Sequence, residues 1–88
     1  MRILIVGRHK KIVKGATMIA TAFGHSVHGV CSIDEQRKAV LENTYHLILV
    51  NCAVNVRDRT ELLPDNRVED FVGVDSLFEY FEKYEETM

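Results

Sequence analysis

Two apolar runs, Arg2-Ile-Leu-Ile-Val6 and His46-Leu-Ile-Leu-Val50, decide how this chain is read. Each is an unbroken series of Val, Ile and Leu with no polar residue alternating through it. A strand with one wet face alternates; a strand covered on both faces by helices, as in parallel sheets, does not. Each run also closes on polar residues: Gly7-Arg8-His9 after the first and Asn51-Cys52 after the second. In open α/β sheets, ligands bind just outside the carboxyl ends of the strands. Function is therefore sought first in those two loops.

Around these runs the pattern is regular. Strand one covers about residues 2–6. A helix follows over about 11–23, with Ile12, Ala16, Ile19 and Phe23 at the spacing of one helical face. Gly15 lies inside that helix, where it either permits close approach to the sheet or marks the true start. Gly24-His25 supplies the left-handed stop. Strand two is about residues 26–31. Ser32-Ile-Asp-Glu35 reads as a capping box, in which hydroxyl and carboxylate each satisfy the other residue's backbone donor, and opens a helix to about Glu42. Strand three is about 45–51. A short helix is expected near Arg57–Leu63, ended by Pro64-Asp65-Asn66. Strand four, about 68–74, leads to a last helix from Asp75 or Ser76 to about Tyr84, with Leu77, Phe78, Phe81 and Tyr84 as its apolar stripe and Tyr80 off it.

The order βαβαβ(α)βα with right-handed crossovers puts helices on both faces. The expected fold is a small, doubly wound, three-layer α/β/α domain spanning residues 1–88. Its four-stranded, mainly parallel sheet has the order 2-1-3-4.

Composition bounds function. A hydrophobic fraction of 47% in 88 residues suits one globular domain. A net charge of −2 provides no drive toward nucleic acid or an anionic membrane. The charge is unevenly placed, with four cations and no acid in residues 8–14, against five acids and one lysine in residues 75–86. No run reaches the roughly 18–20 apolar residues that span a bilayer, and the start lacks a signal-peptide pattern, so the expected location is cytoplasmic. Cys31 and Cys52, read as ending strands on either side of strand one, are expected to be free thiols: two strand spacings exceed disulfide reach. A domain this small leaves apolar helix surface to be covered, and a homodimer or another protein partner is the expected remedy.

The candidate ligand site is Gly7, Arg8, His9, Lys10 and Lys11 with Asn51 and Cys52. The basic loop precedes a helix N-terminus, where free N–H groups and the dipole favour an anion, such as a phosphate-containing small molecule or an acidic partner surface. The plainer reading is solvated lysines, an amide tying its own strand-end loop, and a small apolar thiol. Catalysis by Cys52 would need a base, for which His9 is the only candidate. His25 and His28 point to opposite faces of an extended strand and His46 heads another, so no metal site is expected.

Arg2-Ile-Leu-Ile-Val6, Gly24-His-Ser-Val27, the helix 33–42 and Tyr45-His-Leu-Ile-Leu-Val-Asn51 together resemble the first half of the receiver domain of two-component response regulators. The resemblance covers about residues 1–52 and implies a flavodoxin-like regulatory module. Receivers keep an acidic pair after strand one to hold Mg²⁺, where this chain has Gly7 and Arg8, and a phospho-accepting aspartate where it has Asn51. Their lysine after the last strand has no counterpart in Gly73-Val-Asp-Ser76, and the chain is about a strand and a helix shorter than that pattern. Mg²⁺ needs carboxylate oxygens, and an amide is a poor phosphoryl acceptor. The resemblance thus implies a degenerate receiver, without catalysis or cofactor, that works by binding. A weaker resemblance to Rossmann dinucleotide-binding domains rests on Gly7 and Asn51-Cys-Ala53. Only Gly7 matches the glycine fingerprint, and Cys31-Ser32 stands where an acid would hold a ribose.

Overall fold

The computed structural model describes residues 1–60, 62 and 67–87. Four strands, β1 (Arg2–Val6), β2 (Ser26–Val30), β3 (Leu47–Asn51) and β4 (Arg67–Phe71), form one all-parallel sheet in the order β2-β1-β3-β4. The helices are α1 (Lys10–Ala22), α2 (Ile33–Glu42), the single turn α3 (Val56–Arg59) and α4 (Val74–Thr87). β1 is central: Leu4 pairs with His28 on one side and Ile48 on the other. The expected architecture and strand order are those observed.

The apolar runs explain the layers. Because side chains alternate across a strand, Ile3, Ile5, Leu47 and Leu49 face one way and join Val13, Ala16 and Ala20 of α1 with Leu77 and Phe81 of α4. Leu4, Val6, Ile48 and Val50 face the other way, toward Ala39 and Val40 of α2. Both faces of β1 and β3 are therefore dry. Phe81 is fully buried, and truncating such a ring costs about 3–5 kcal/mol.

Several local expectations shift. The buried line of α1 is Val13, Ala16 and Ala20, while Ile12, Ile19 and Phe23 pack at its flank. The helix has two neighbours, sheet and α4, so its apolar face is wider than one stripe. Gly15 serves the second neighbour: a Cβ there would lie 3.1 Å from Val74 Cγ2 of α4, so the close approach is to a helix and not to the sheet. Gly24 does stop α1, at φ 88°. The Ser32 box is half formed. Ser32 Oγ accepts from the Glu35 amide at 3.2 Å, but the Glu35 carboxylate accepts from the Ser32 hydroxyl instead of its backbone.

At the end of the chain, β4 runs from Arg67 to Phe71, short of the expected 74, and α4 begins at Val74, because Ser76 ties Gly73 into the turn between them. Its hydroxyl donates to the Gly73 carbonyl at 2.6 Å and accepts from the Gly73 amide. Phe78, expected inward, is 51% exposed and stands edge-on to Phe23, whereas Tyr80 is half-buried against Phe81. α4 sits at the β4 side of the sheet, which turns Tyr80 toward the sheet edge. The stop at Pro64-Asp65-Asn66 and the Tyr84 side chain fall outside the described residues.

Candidate functional site

The sheet order places Gly7-Arg8 and Asn51-Cys52 at adjacent carboxyl ends, since β1 and β3 are hydrogen-bonded neighbours. What the side chains do there differs from one residue to the next. Gly7 is buried, and its amide donates to the Val30 carbonyl at 3.1 Å, prolonging the β1–β2 ladder. Arg8 folds back over the end of the sheet. Its Nη1 donates to the Gly7 carbonyl at 2.8 Å, and its Nη2 donates to Asp58 Oδ2 at 3.0 Å and to Gln36 Oε1 at 3.4 Å. Gln36 is itself fully buried and donates through Nε2 to the Asp58 carbonyl at 2.8 Å. One guanidinium thus joins the β1 loop to α2 and α3, and its charge is met by a carboxylate of which only about a fifth is exposed (21%).

Asn51 is 1% exposed and uses both halves of its amide. Nδ2 donates to the Val72 carbonyl at 3.1 Å, which ties the end of β3 to the end of β4. Oδ1 accepts from the Ala53 amide at 3.1 Å, which closes its own turn. A carboxylate could accept from Ala53 but could not donate to Val72. The amide is required here by its hydrogen-bond partners, in line with the rule that buried polar groups are paired.

Arg59 completes the arrangement. Its Nε donates to the Val54 carbonyl at 3.0 Å, Nη2 donates to the Asn51 carbonyl at 3.1 Å, and Nη1 pairs with Asp70. Cys52 is exposed beside it, Cys31 is partly buried after β2, and both thiols are free. With β1 between β2 and β3, that separation is the one expected from the strand order.

The remaining members of the basic loop face away. His9 is the N-cap of α1 but makes no side-chain capping bond, and α1 has no acid in its first turn. Lys10 and Lys11 are exposed. Lys10 lines a groove running beside β2 with Val13, Lys14, Met18, Gly29 and Cys31. The seven expected site residues therefore divide. Gly7, Arg8 and Asn51 are built into the fold, Cys52 lies open at the strand end, and His9, Lys10 and Lys11 are presented at the start of α1. Among the described residues no three His, Cys, Asp or Glu side chains come together as a metal site, and no helix is long and apolar enough to cross a membrane.

Sequence reasoning missed Gln36, Asp58 and Arg59. Gln36 carried a signal: it stands three and four positions before Ala39 and Val40 on the buried stripe of α2, where a polar residue demands a partner. Nothing local distinguishes Asp58 and Arg59 from other charged residues of that segment.

A second polar cluster lies at the opposite, amino end of the strands. Tyr45 Oη and His28 Nδ1 are hydrogen-bonded at 2.9 Å, and the Arg2 guanidinium sits 5.8 Å from the centre of the Tyr45 ring while donating to Asn43 Oδ1 at 3.1 Å. Burial pushes the Tyr45 hydroxyl above the ordinary phenol value, with the Arg2 charge acting in opposition.

The chain matches no protein-family model, and neither curated proteins nor solved structures provide a match.

Proposed function

We propose that this chain is a non-catalytic, receiver-like regulatory module that acts by binding another protein. The observation that carries the reading is the Arg8–Asp58 pair, buttressed by buried Gln36, at the strand ends where an α/β sheet otherwise receives its ligand. A receiver needs carboxylates there to hold Mg²⁺ and an aspartate to take the phosphoryl group. Here the cation is neutralised by an internal acid, and the Asn51 amide is engaged on both sides. Groups that would bind and activate a phosphate donor instead hold β1, α2, α3 and β4 together.

The test is incubation of the full chain with acetyl phosphate and Mg²⁺, followed by intact mass. No phosphoryl adduct and no Mg²⁺-dependent change in melting temperature are expected; a stoichiometric adduct overturns the reading. A second reading, a small phosphate- or nucleotide-binding Rossmann-like domain, is favoured only by the exposed Lys10 and Lys11 beside an α1 start without a side-chain cap. It requires a thermal shift: ligand at 100 times Kd adds about 2.7 kcal/mol of stability. A panel of nucleotides and sugar phosphates that leaves the melting temperature unmoved removes it.

A further inference from the structure

We infer that the outer edge of β2 is the docking strand of this module, and that its occupant is an extended peptide carrying acidic side chains at alternate positions. The inference rests on the interaction-module reading and gives that module a surface and a partner chemistry.

The sheet ends on β2 at one side and on β4 at the other, and the two edges are unlike. β4, Arg-Val-Glu-Asp-Phe, carries three charged residues; Arg67 pairs with Glu69 and Asp70 with Arg59. Charges of this kind keep foreign strands off an edge. β2, Ser-Val-His-Gly-Val, has no Lys, Arg, Asp, Glu or Pro.

Its backbone is also open. The Ser26 amide donates to the Met1 carbonyl and the Val30 carbonyl accepts from the Gly7 amide, so Ser26, His28 and Val30 turn their polar groups toward β1. By the alternation of a strand, the N–H and C=O groups of Val27 and Gly29 and the N–H of Cys31 point outward. An added strand can take them up as main-chain hydrogen bonds, the source of affinity in β-augmentation.

The α1 side of this edge is a groove of about 580 Å³. Gly29 shapes it: a Cβ there would lie 2.7 Å from Val13 Cγ1 and 2.8 Å from Thr17 Oγ1, so α1 presses directly onto β2. Lys10 and Lys14 stand along the α1 wall with Met18, and Glu35 of α2 borders the same groove with its carboxylate engaged by the Ser32 hydroxyl, so two cations face one acid there. Neither lysine has a carboxylate within ion-pair distance among the described residues. Four residues of helix rise about 6 Å, and two residues of strand advance about 6.6 Å. Two acids separated by one residue on an incoming strand therefore match Lys10 and Lys14, while the intervening residue faces the α2 side, where Glu35, Lys38 and Glu42 alternate in sign. An acidic peptide also relieves the α1 N-terminus, where cations oppose the helix dipole.

The probe is a short peptide of alternating glutamate and valine, added to the isotopically labelled full chain, with a lysine–valine peptide as control. Amide shifts and slowed hydrogen exchange are expected at Val27, Gly29 and Cys31. Binding should fall about tenfold or more for the control peptide and for Lys10→Glu combined with Lys14→Glu, because charge reversal turns attraction into repulsion. Val27→Pro removes an outward N–H without touching the β1 ladder and should weaken binding while the melting curve shows the fold intact. Equal binding of both peptides, shifts located elsewhere, no binding at millimolar peptide, or self-association of the free chain through the β2 amides each overturn the inference. None of these results bears on the acetyl phosphate experiment, so this inference can fail while the module reading stands.

Discussion

The carboxyl ends of β1 and β3 and the outer edge of β2 lie side by side, share one basic loop, and treat their cations in opposite ways. Arg8 turns inward to Asp58, the Gly7 carbonyl and buried Gln36, whereas Lys10, two residues later, lines an open groove without a counter-ion among the described residues. The contrast shows how an α/β domain can be read for function by asking which polar groups are already satisfied. Groups that hold the fold together are closed to ligands, and the proposed partner is met by the unsatisfied ones. In this domain the satisfied groups occupy the position usual for catalysis, and the unsatisfied ones have moved to the edge of the sheet.

The sharpest way to break the contrast is Asn51→Asp, which puts a carboxylate against the Val72 carbonyl. A buried charge with the Ala53 amide as donor on one side and a carbonyl facing it on the other costs about 3 kcal/mol or more at neutral pH. Urea denaturation should show the loss shrinking as pH falls, since protonation restores a donor. A variant as stable as the parent at pH 7 would show that the amide is not structurally required. Next comes Arg8→Ala, which leaves Asp58 and Gln36 short of a partner and should lower stability by about 1–3 kcal/mol. A double-mutant cycle with Asp58→Ala should give a coupling of about 1 kcal/mol, between the exposed and the buried limits for ion pairs. Additive losses would mean that the pair is incidental.

On the other side of the comparison, Lys10→Glu should stabilise the chain by a few tenths of a kcal/mol, because it replaces a cation by an anion at the start of α1. A thermal melt showing a loss comparable to that of Arg8→Ala would place Lys10 inside the framework and erase the distinction. The smallest effect belongs to the amino end. Burial raises the Tyr45 hydroxyl above its unfolded value, so its contribution is complete below about pH 10, the ordinary tyrosine value. The contribution is lost as pH rises through the raised value, because the unfolded chain releases its proton first. Denaturation between pH 8 and 11 should show stability falling at the top of the range, and Tyr45→Phe should flatten that fall.

The elements differ in how well the residue string forecasts them, and the difference is physical. β1 and β3 are legible because burial on both faces leaves a continuous apolar run that no other element of that length requires. The β2 return after Gly24 and the Ser32 cap are local signals and appear where expected. In α1 the buried line runs beside the expected one and shares Ala16 with it, because two neighbours, sheet and α4, widen its apolar face. α3 proved to be a single turn, Val56–Arg59, since its place is held by Asn55 capping and by Arg59 reaching back to β3, not by an apolar stripe. In the candidate site the positions of Gly7, Arg8, Asn51 and Cys52 at adjacent strand ends could be foreseen from strand order, but their partners could not.

Pattern along the chain was enough to establish four parallel strands, their order and the two loops at the carboxyl end, because hydrophobic periodicity, caps and crossover handedness act between near neighbours. Which cation is neutralised and which is left open could not be read that way. Arg8 and Lys10 are both basic residues of one loop, and the carboxylate that separates their roles is Asp58, fifty positions away in sequence and 3.0 Å away in space. Hydrogen bonds and ion pairs depend on distance through the folded molecule, and that distance exists only once α3 has been laid against the end of the sheet.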